Sequence, residues 1–259
     1  MNQEERRRFL IEELLRERLS CRRQEIPADT DRQKVLLRSL MNVRHPGAIS
    51  QRFLEVQDAY LQGELAAKKI TRLSELSPLQ NGIYLWRGDI TTLDCGAIVN
   101  AANSGMTGCY QPCHNCIDNC IHTYAGVQLR LKCAEIMERQ GFEEPTGQAK
   151  ITPAYNLPCD YVIHTVGPIV QGKLTRQHCK LLEFCYRSCL TLADENQVPS
   201  IAFCCISTGV FMFPNDKAAE IAVRTVQEYK AETGSKIEVI FNVFKEQDER
   251  IYSKLLRAD

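Results

Sequence analysis

The sequence predicts an α/β sandwich, with helices on both faces of a mostly parallel or mixed sheet, preceded by an N-terminal helical extension. Three observations carry this. From about residue 82 onward, short β-branched runs alternate with helical segments. Residues 1 to about 78 are highly charged, place apolar residues at helical spacing and contain no strand-like run. The unusual loops follow strand-like runs, where ligands sit in open sheets of this class.

The elements follow in order. Phe9, Leu10, Leu14 and Leu15 form one amphipathic stripe, Leu36, Leu37 and Leu40 a second, and Phe53, Val56 and Tyr60 a third. Pro27 and the His45-Pro46-Gly47 turn separate these helices. The plain reading is an appended layer over residues 1–78, docked by its apolar stripes on the rest of the protein at 79–259. Beyond it, IYLWRG and AIVNAAN read as strands and CIDNCIHTYAGVQLRLKCAEIMERQ as one long helix. AKITPA and YVIHTV are strands, LTRQHCKLLEFCYRSCLTLADEN a helix and IAFCCIS a strand. NDKAAEIAVRTVQEYKAET is a helix, KIEVIFNVF a strand, and EQDERIYSKLL a short closing helix.

Composition excludes several classes. Lys plus Arg and Asp plus Glu both total 32 in 259 residues, so net charge gives no reason to expect a nucleic-acid or acidic-lipid partner. The charged N-terminus has no apolar signal-peptide core, and no stretch approaches the ~20 apolar residues of a membrane span. A cytoplasmic protein is expected. Thirteen cysteines, an odd number, argue against a disulfide framework. Cys185, Cys189, Cys204 and Cys205 lie in apolar runs and read as small buried hydrophobes.

Three loops carry chemistry. Gly88-Asp89-Ile90-Thr91 follows a strand, and an Asp there can accept from an exocyclic amine, although Gly-Asp is also ordinary turn chemistry. Val99-Asn100-Ala101-Ala102-Asn103 ends an apolar strand with two side-chain amides that need partners if buried. Ile206-Ser207-Thr208-Gly209-Val210-Phe211 joins a strand to a helix, and its small residues free backbone N–H groups to cradle a diphosphate near the helix N-terminus.

The remaining cluster is Cys109, Cys113, Cys116 and Cys120 around His114. Thiolates and an imidazole at this spacing suit Zn²⁺. Three protein ligands would leave the open position of a catalytic site, whereas a fourth Cys or His would close a structural one. Spacing alone leaves both sets open, since Cys113-x2-Cys116 is also ligand spacing.

In their order, GDIT, VNAAN and ISTGVFMFP resemble the macrodomain family over about residues 82–259. That resemblance implies a three-layer α/β/α sandwich that binds ADP-ribose. It implies that Asp89 holds the adenine amine with Ile90 beside it, and that Asn100 and Asn103 face the distal ribose. Ser207, Thr208, Gly209, Val210 and Phe211 would wrap the diphosphate, with Phe211 near that ribose. The acidic residue and Ile-His pair of the hydrolytic MacroD-type members are kept as Asp118, Ile121 and His122. GMTGCYQPCHNCIDN replaces their glycine run, which resembles the zinc-containing subgroup, whose motif selects Cys109, His114 and Cys116. Some members of that subgroup are encoded beside a sirtuin that attaches ADP-ribose.

The implied activity is zinc-dependent hydrolysis of ADP-ribose from protein side chains, with Asp118 and Asn103 at the reacting bond. A carboxylate near a helix start is favoured to stay ionised. His122 reads as a hydrogen-bonded helix histidine in preference to a catalytic one, and His164 as a structural residue. The alternatives are a non-catalytic ADP-ribose reader, which needs neither an acid nor an open metal position, and an O-acyl-ADP-ribose deacylase using the same pocket.

Overall fold

The computed structural model describes residues 1–18 and 25–257, so Cys21 lies outside the described residues. Three helices open the chain. Asn2 caps α1 (Gln3–Glu17) in a capping box with Glu5, Asp29 caps α2 (Thr30–Val43) and Ser50 caps α3 (Gln51–Ala66). Their apolar faces turn on one another. Leu10, Ile11 and Leu14 pack with Leu37, Leu40, Phe53, Val56 and Tyr60 in a core separate from the main one, joined by Val127. The stripes expected to dock on the sandwich therefore build a small bundle instead. Polar contacts carry much of the docking: Asp58 Oδ1 accepts from Gln128 Nε2 and Asn156 Nδ2, both at 2.7 Å.

A two-residue strand, β1 (Thr71–Arg72), was not legible in the charged region; it pairs in parallel with β3 (Leu93–Asp94). Between them runs β2 (Ile83–Arg87). The main sheet adds β4 (Ala97–Ala102), β5 (Ala149–Pro153), β6 (Tyr161–Val166), β7 (Ser200–Phe203) and β8 (Glu238–Val243), in the order β2-β8-β7-β4-β6-β5. All neighbours are parallel except the edge strand β5, which is antiparallel to β6. The sheet is mixed, as expected.

Helices flank it. The expected long helix after the second loop is two: α4 (Ile117–Ala125) and α5 (Val127–Gln140). Gly126 divides them at φ +96°, where a Cβ would meet Gln57 Nε2 at 2.6 Å. Gln57 Oε1 takes the Val127 N–H at 2.9 Å, so a side chain of α3 occupies a donor that helix continuation would use. Later come α6 (Arg176–Glu195), α7 (Asn215–Thr233) and α8 (Glu246–Arg257). Strand alternation separates the layers. His164 of β6 faces Cys133 of α5, with Sγ 3.8 Å from Nε2, while α6 meets β6 through Cys185, whose thiol donates to Val166 O at 3.4 Å. β7 stops at Phe203, so Cys204 and Cys205 lie just beyond the strand that was expected to include them.

Candidate active site

The loops singled out after β2, β4 and β7 all leave the carboxyl ends of parallel strands, so one end of the sheet gathers them. After β2, Asp89 caps a 3₁₀ turn over Ile90–Thr92. Its Oδ1 accepts from Thr91 N at 3.0 Å and Thr91 Oγ1 at 2.6 Å. The other oxygen lies 3.7 Å from Lys68 Nζ, which also sits 4.0 Å above the Tyr124 ring. Turn chemistry thus occupies one carboxylate oxygen and leaves the other for a partner. Ile90 is buried beside it.

At the end of β4, both asparagines converge on Asp118, the second residue of α4. Asn100 Nδ2 donates to Asp118 Oδ1 at 2.8 Å and Asn103 Nδ2 to Oδ2 at 3.4 Å. They are not equivalent: Asn100 is fully buried, whereas Asn103 is exposed. Asn100 therefore holds Asp118 from the buried side, and Asn103 is the one that reaches solvent. Burial pushes the Asp118 carboxyl up to about 6, with the Asn100 hydrogen bond and the Arg130 charge pulling the other way. At about 6 the carboxyl is still mostly ionised at neutral pH.

The two histidines also differ. His164 is buried, and burial pushes its pKa down to about 3; its Nδ1 lies 3.1 Å from Asn100 Nδ2 and its Nε2 2.9 Å from Thr152 Oγ1. His122 is buried with neither ring nitrogen hydrogen-bonded, and its Nε2 lies 3.6 Å from Asp118 Oδ1. Burial, then the neighbouring His164 and Arg130, hold it well below the usual imidazole range. The hydrogen-bonded helix histidine anticipated at this position is not what the structure contains.

Between Asn103 and α4 the chain runs through turns and bends. It brings the ligand atoms of Cys109, His114 and Cys116 within 4.8 Å of one another. Cys109 Sγ lies 3.6 Å from His114 Nδ1, and Cys116 Sγ caps α4 by accepting from Asn119 N at 3.4 Å. Cys113 and Cys120 turn to α2: Cys113 Sγ reaches Val35 O at 3.5 Å and Cys120 Sγ lies 3.7 Å from an Arg38 nitrogen. Two sulfurs and one imidazole are a soft donor set that fits Zn²⁺ with a coordination position to spare.

After β7, Ser207 adopts φ +65° and packs so closely on Gly167 that a Cβ there would meet Ser207 Oγ at 2.1 Å. The loop bonds Thr208 N to Cys205 O, Met212 N to Gly209 O and Phe213 N to Ser207 O. Among the described residues the N–H groups of Gly209, Val210 and Phe211 have no protein partner. Successive free N–H groups form an anion-binding concavity. α7 begins at Asn215, so these free amides belong to the loop and not to the first turn of the helix.

The Macro domain family model matches residues 99–222. A protein-ADP-ribose hydrolase of Treponema medium is 63% identical over 260 residues, spanning 99% of this chain and 100% of that protein. The chain belongs to the macrodomain family. Another relative, a probable bifunctional ADP-ribose hydrolase/ADP-ribosyltransferase of Fusarium oxysporum f. sp. cubense, is 41% identical over 88% of this chain and 42% of that longer protein. The structure of a Trypanosoma brucei macrodomain in complex with ADP-ribose matches with a TM-score of 0.66 at 30% identity, covering 84% of this chain and 94% of that one.

In this macrodomain four residues absent from the sequence reading stand close to the site. Lys68 follows α3 and pairs with Asp89. Arg38 and Asn42 of α2 hydrogen-bond the loop that carries Cys109 and His114. Arg130 of α5 donates to Thr107 O at 2.7 Å. None lies in a motif; ordinary polar residues at helical spacing give no signal of what they face.

Proposed function

We propose that this macrodomain is a protein-ADP-ribose hydrolase whose reacting centre is Asp118 beside Zn²⁺ held by Cys109, His114 and Cys116. The observation that carries the reading is convergence: Asn100, Asn103 and the start of α4 present one buried-edge carboxylate next to an open set of three soft ligands. A recognition module needs neither. The Treponema relative's name and the ADP-ribose bound by the Trypanosoma macrodomain support the substrate.

In this reading Asp89 takes the adenine amine, and the free N–H groups of Gly209, Val210 and Phe211 hold the diphosphate. Those contacts fix the distal ribose, and their binding energy orients the reacting end. The bond from C1″ to the side-chain oxygen breaks through an oxocarbenium-like transition state. The water oxygen bonds C1″ as the C1″–O bond breaks, Asp118 orients that water and takes its proton, and the side chain leaves as a carboxylate anion or, from a hydroxyl, takes the proton that Asp118 has collected. Asn103 holds the outer oxygen of Asp118 from the exposed side. Zinc, when bound, supplies Lewis-acid chemistry at this end of the cleft.

The counterpart in this proposal is a sirtuin-type transferase that attaches ADP-ribose, and the Fusarium relative, whose name joins hydrolase and transferase, supports pairing the two activities. A reducing cytoplasm suits the site, because its thiols must stay unoxidised to bind metal. The test is release of free ADP-ribose from proteins modified on carboxylates, compared with serine- and arginine-linked conjugates. Release from the carboxylate esters supports the reading; binding of ADP-ribose without release from any conjugate overturns it.

A further inference from the structure

The loop from Thr107 to Cys116 has no helix or strand of its own, yet side chains hold its backbone along most of its length. Arg130 Nε donates to Thr107 O at 2.7 Å and Asn103 Nδ2 to Gly108 O at 3.1 Å. Asn119 Nδ2 donates to Cys109 O at 3.4 Å and Gln111 O at 2.9 Å. The Cys113 N–H donates to Asn42 Oδ1 at 2.9 Å, and His114 O accepts from Arg38 at 2.8 Å.

Two of these six ties come directly from α2, and Asn119 and Arg130, which make three more, are themselves bonded to it. Arg38 and Asn42 lie one helical turn apart on its loop-facing side. Arg38 also donates to Asn119 Oδ1 at 3.0 Å, which orients the amide that grips Cys109 and Gln111. Asn42 Nδ2 donates to Thr123 Oγ1 of α4 at 2.8 Å. Arg130 reaches back to the carbonyls of Met41 and Asn42, at 3.1 and 2.8 Å. It stacks 4.4 Å from the Tyr110 ring, whose other neighbour is His45 at 5.1 Å.

A loop without a ladder of its own must lose backbone freedom to bring three ligands together. We propose that α2 removes that cost in advance: Arg38 and Asn42 are positioning residues that hold Cys109, His114 and Cys116 at ligand distance. The N-terminal bundle is then a structural part of the metal centre. This rests on the metal reading above, and support of this kind is the role that outer-sphere hydrogen bonds play at metal sites.

The test is zinc affinity of the purified full chain, measured by competition with a chromogenic chelator and paired with calorimetry of ADP-ribose. Arg38→Met and Asn42→Leu should weaken zinc by about 10–100-fold, the range for lost outer-sphere partners, with little change in ADP-ribose affinity. Asn42→Asp keeps the acceptor for the Cys113 N–H and should recover most of the loss. Leu14→Ala, in the bundle's own core, should lower the thermal midpoint without moving zinc affinity. Arg38 is only half-buried, so Arg38→Met carries the comparison even where Asn42→Leu lowers stability. Wild-type zinc affinity in both α2 variants overturns the inference alone, as does an equal loss in Leu14→Ala. A wild-type chain that binds no zinc overturns the inference together with the metal reading.

Discussion

Asn100 donates its side-chain amide to Asp118 Oδ1 at 2.8 Å, tying a fully buried position of β4 to the first turn of α4. The same amide nitrogen lies 3.1 Å from His164 Nδ1. Because that nitrogen can only donate, His164 accepts at Nδ1 and carries its proton on Nε2, 2.9 Å from Thr152 Oγ1. Thr152 Oγ1 in turn donates to Val162 O at 3.4 Å. A neutral, oriented relay thus runs from β6 through β4 to the carboxylate.

Removing its middle member should cost position more than binding. Asn100→Ala leaves Asp118 Oδ1 and His164 Nδ1 without this donor, and a folded variant should lose about 10²-fold in turnover from misplacement of the carboxylate. ADP-ribose affinity should fall much less, since the contacts proposed for adenine and diphosphate lie elsewhere. Urea unfolding should show a loss of about 1–3 kcal/mol for the unpaired buried groups. Unchanged turnover would mean that Asp118 needs no support from β4.

The loop proposed to hold the diphosphate depends on a close approach at Gly167. A Cβ on Gly167 would lie 2.1 Å from Ser207 Oγ and 2.9 Å from Ile206 Cγ2. Gly167→Ala should displace the Ser207–Phe211 loop and weaken ADP-ribose by about 1–3 kcal/mol, the scale of overpacking strain. Calorimetry measures it. An unaltered dissociation constant would place the diphosphate away from this loop.

Acid stability reports the buried histidines. His164 has its pKa pushed from 6.5 down to about 3 in the fold, by burial. The unfolded chain therefore binds this proton first as pH falls. Its contribution is fully present above pH 6.5 and is lost toward pH 3, at up to about 1.4 kcal/mol per pH unit. His122, also depressed by burial, adds loss of the same sign. His164→Gln, measured by urea unfolding at pH 7, 6 and 5, should show the shallower decline, by about one proton. Parallel declines in the two proteins would show that His164 titrates normally in the fold.

Much of this site was legible in the sequence because its signals are local. The three strand-end loops and most helices and strands after residue 82 lie where their patterns imply, and Cys109, His114 and Cys116, chosen by the resemblance and not by spacing, come within 4.8 Å of one another. What escaped was tertiary. Helix-forming sequence runs on both sides of Gly126, and the break there is completed by Gln57, a residue 69 positions earlier. Asn100 and Asn103 look alike in a motif, yet strand burial places one on the buried side of Asp118 and leaves the other exposed to solvent. The stripes of α1, α2 and α3 show that these helices bury something, but not that they bury one another. Arg38 and Asn42 follow no spacing rule that would mark their hydrogen bonds to His114 O and the Cys113 N–H.

The most direct measurement of the central claim is single-turnover release of ADP-ribose from a modified protein by wild type, Asp118→Ala and Cys109→Ala, with zinc content and ADP-ribose affinity determined on the same samples. Wild type should carry one zinc per chain and release ADP-ribose. Asp118→Ala should be slower by ~10²–10⁴-fold, the range for a lost general base, while retaining zinc and most of its affinity for ADP-ribose. Cys109→Ala should lose zinc and turnover together and still bind ADP-ribose. Normal turnover in both variants would contradict the assignment of Asp118 and the three-ligand loop as the reacting centre.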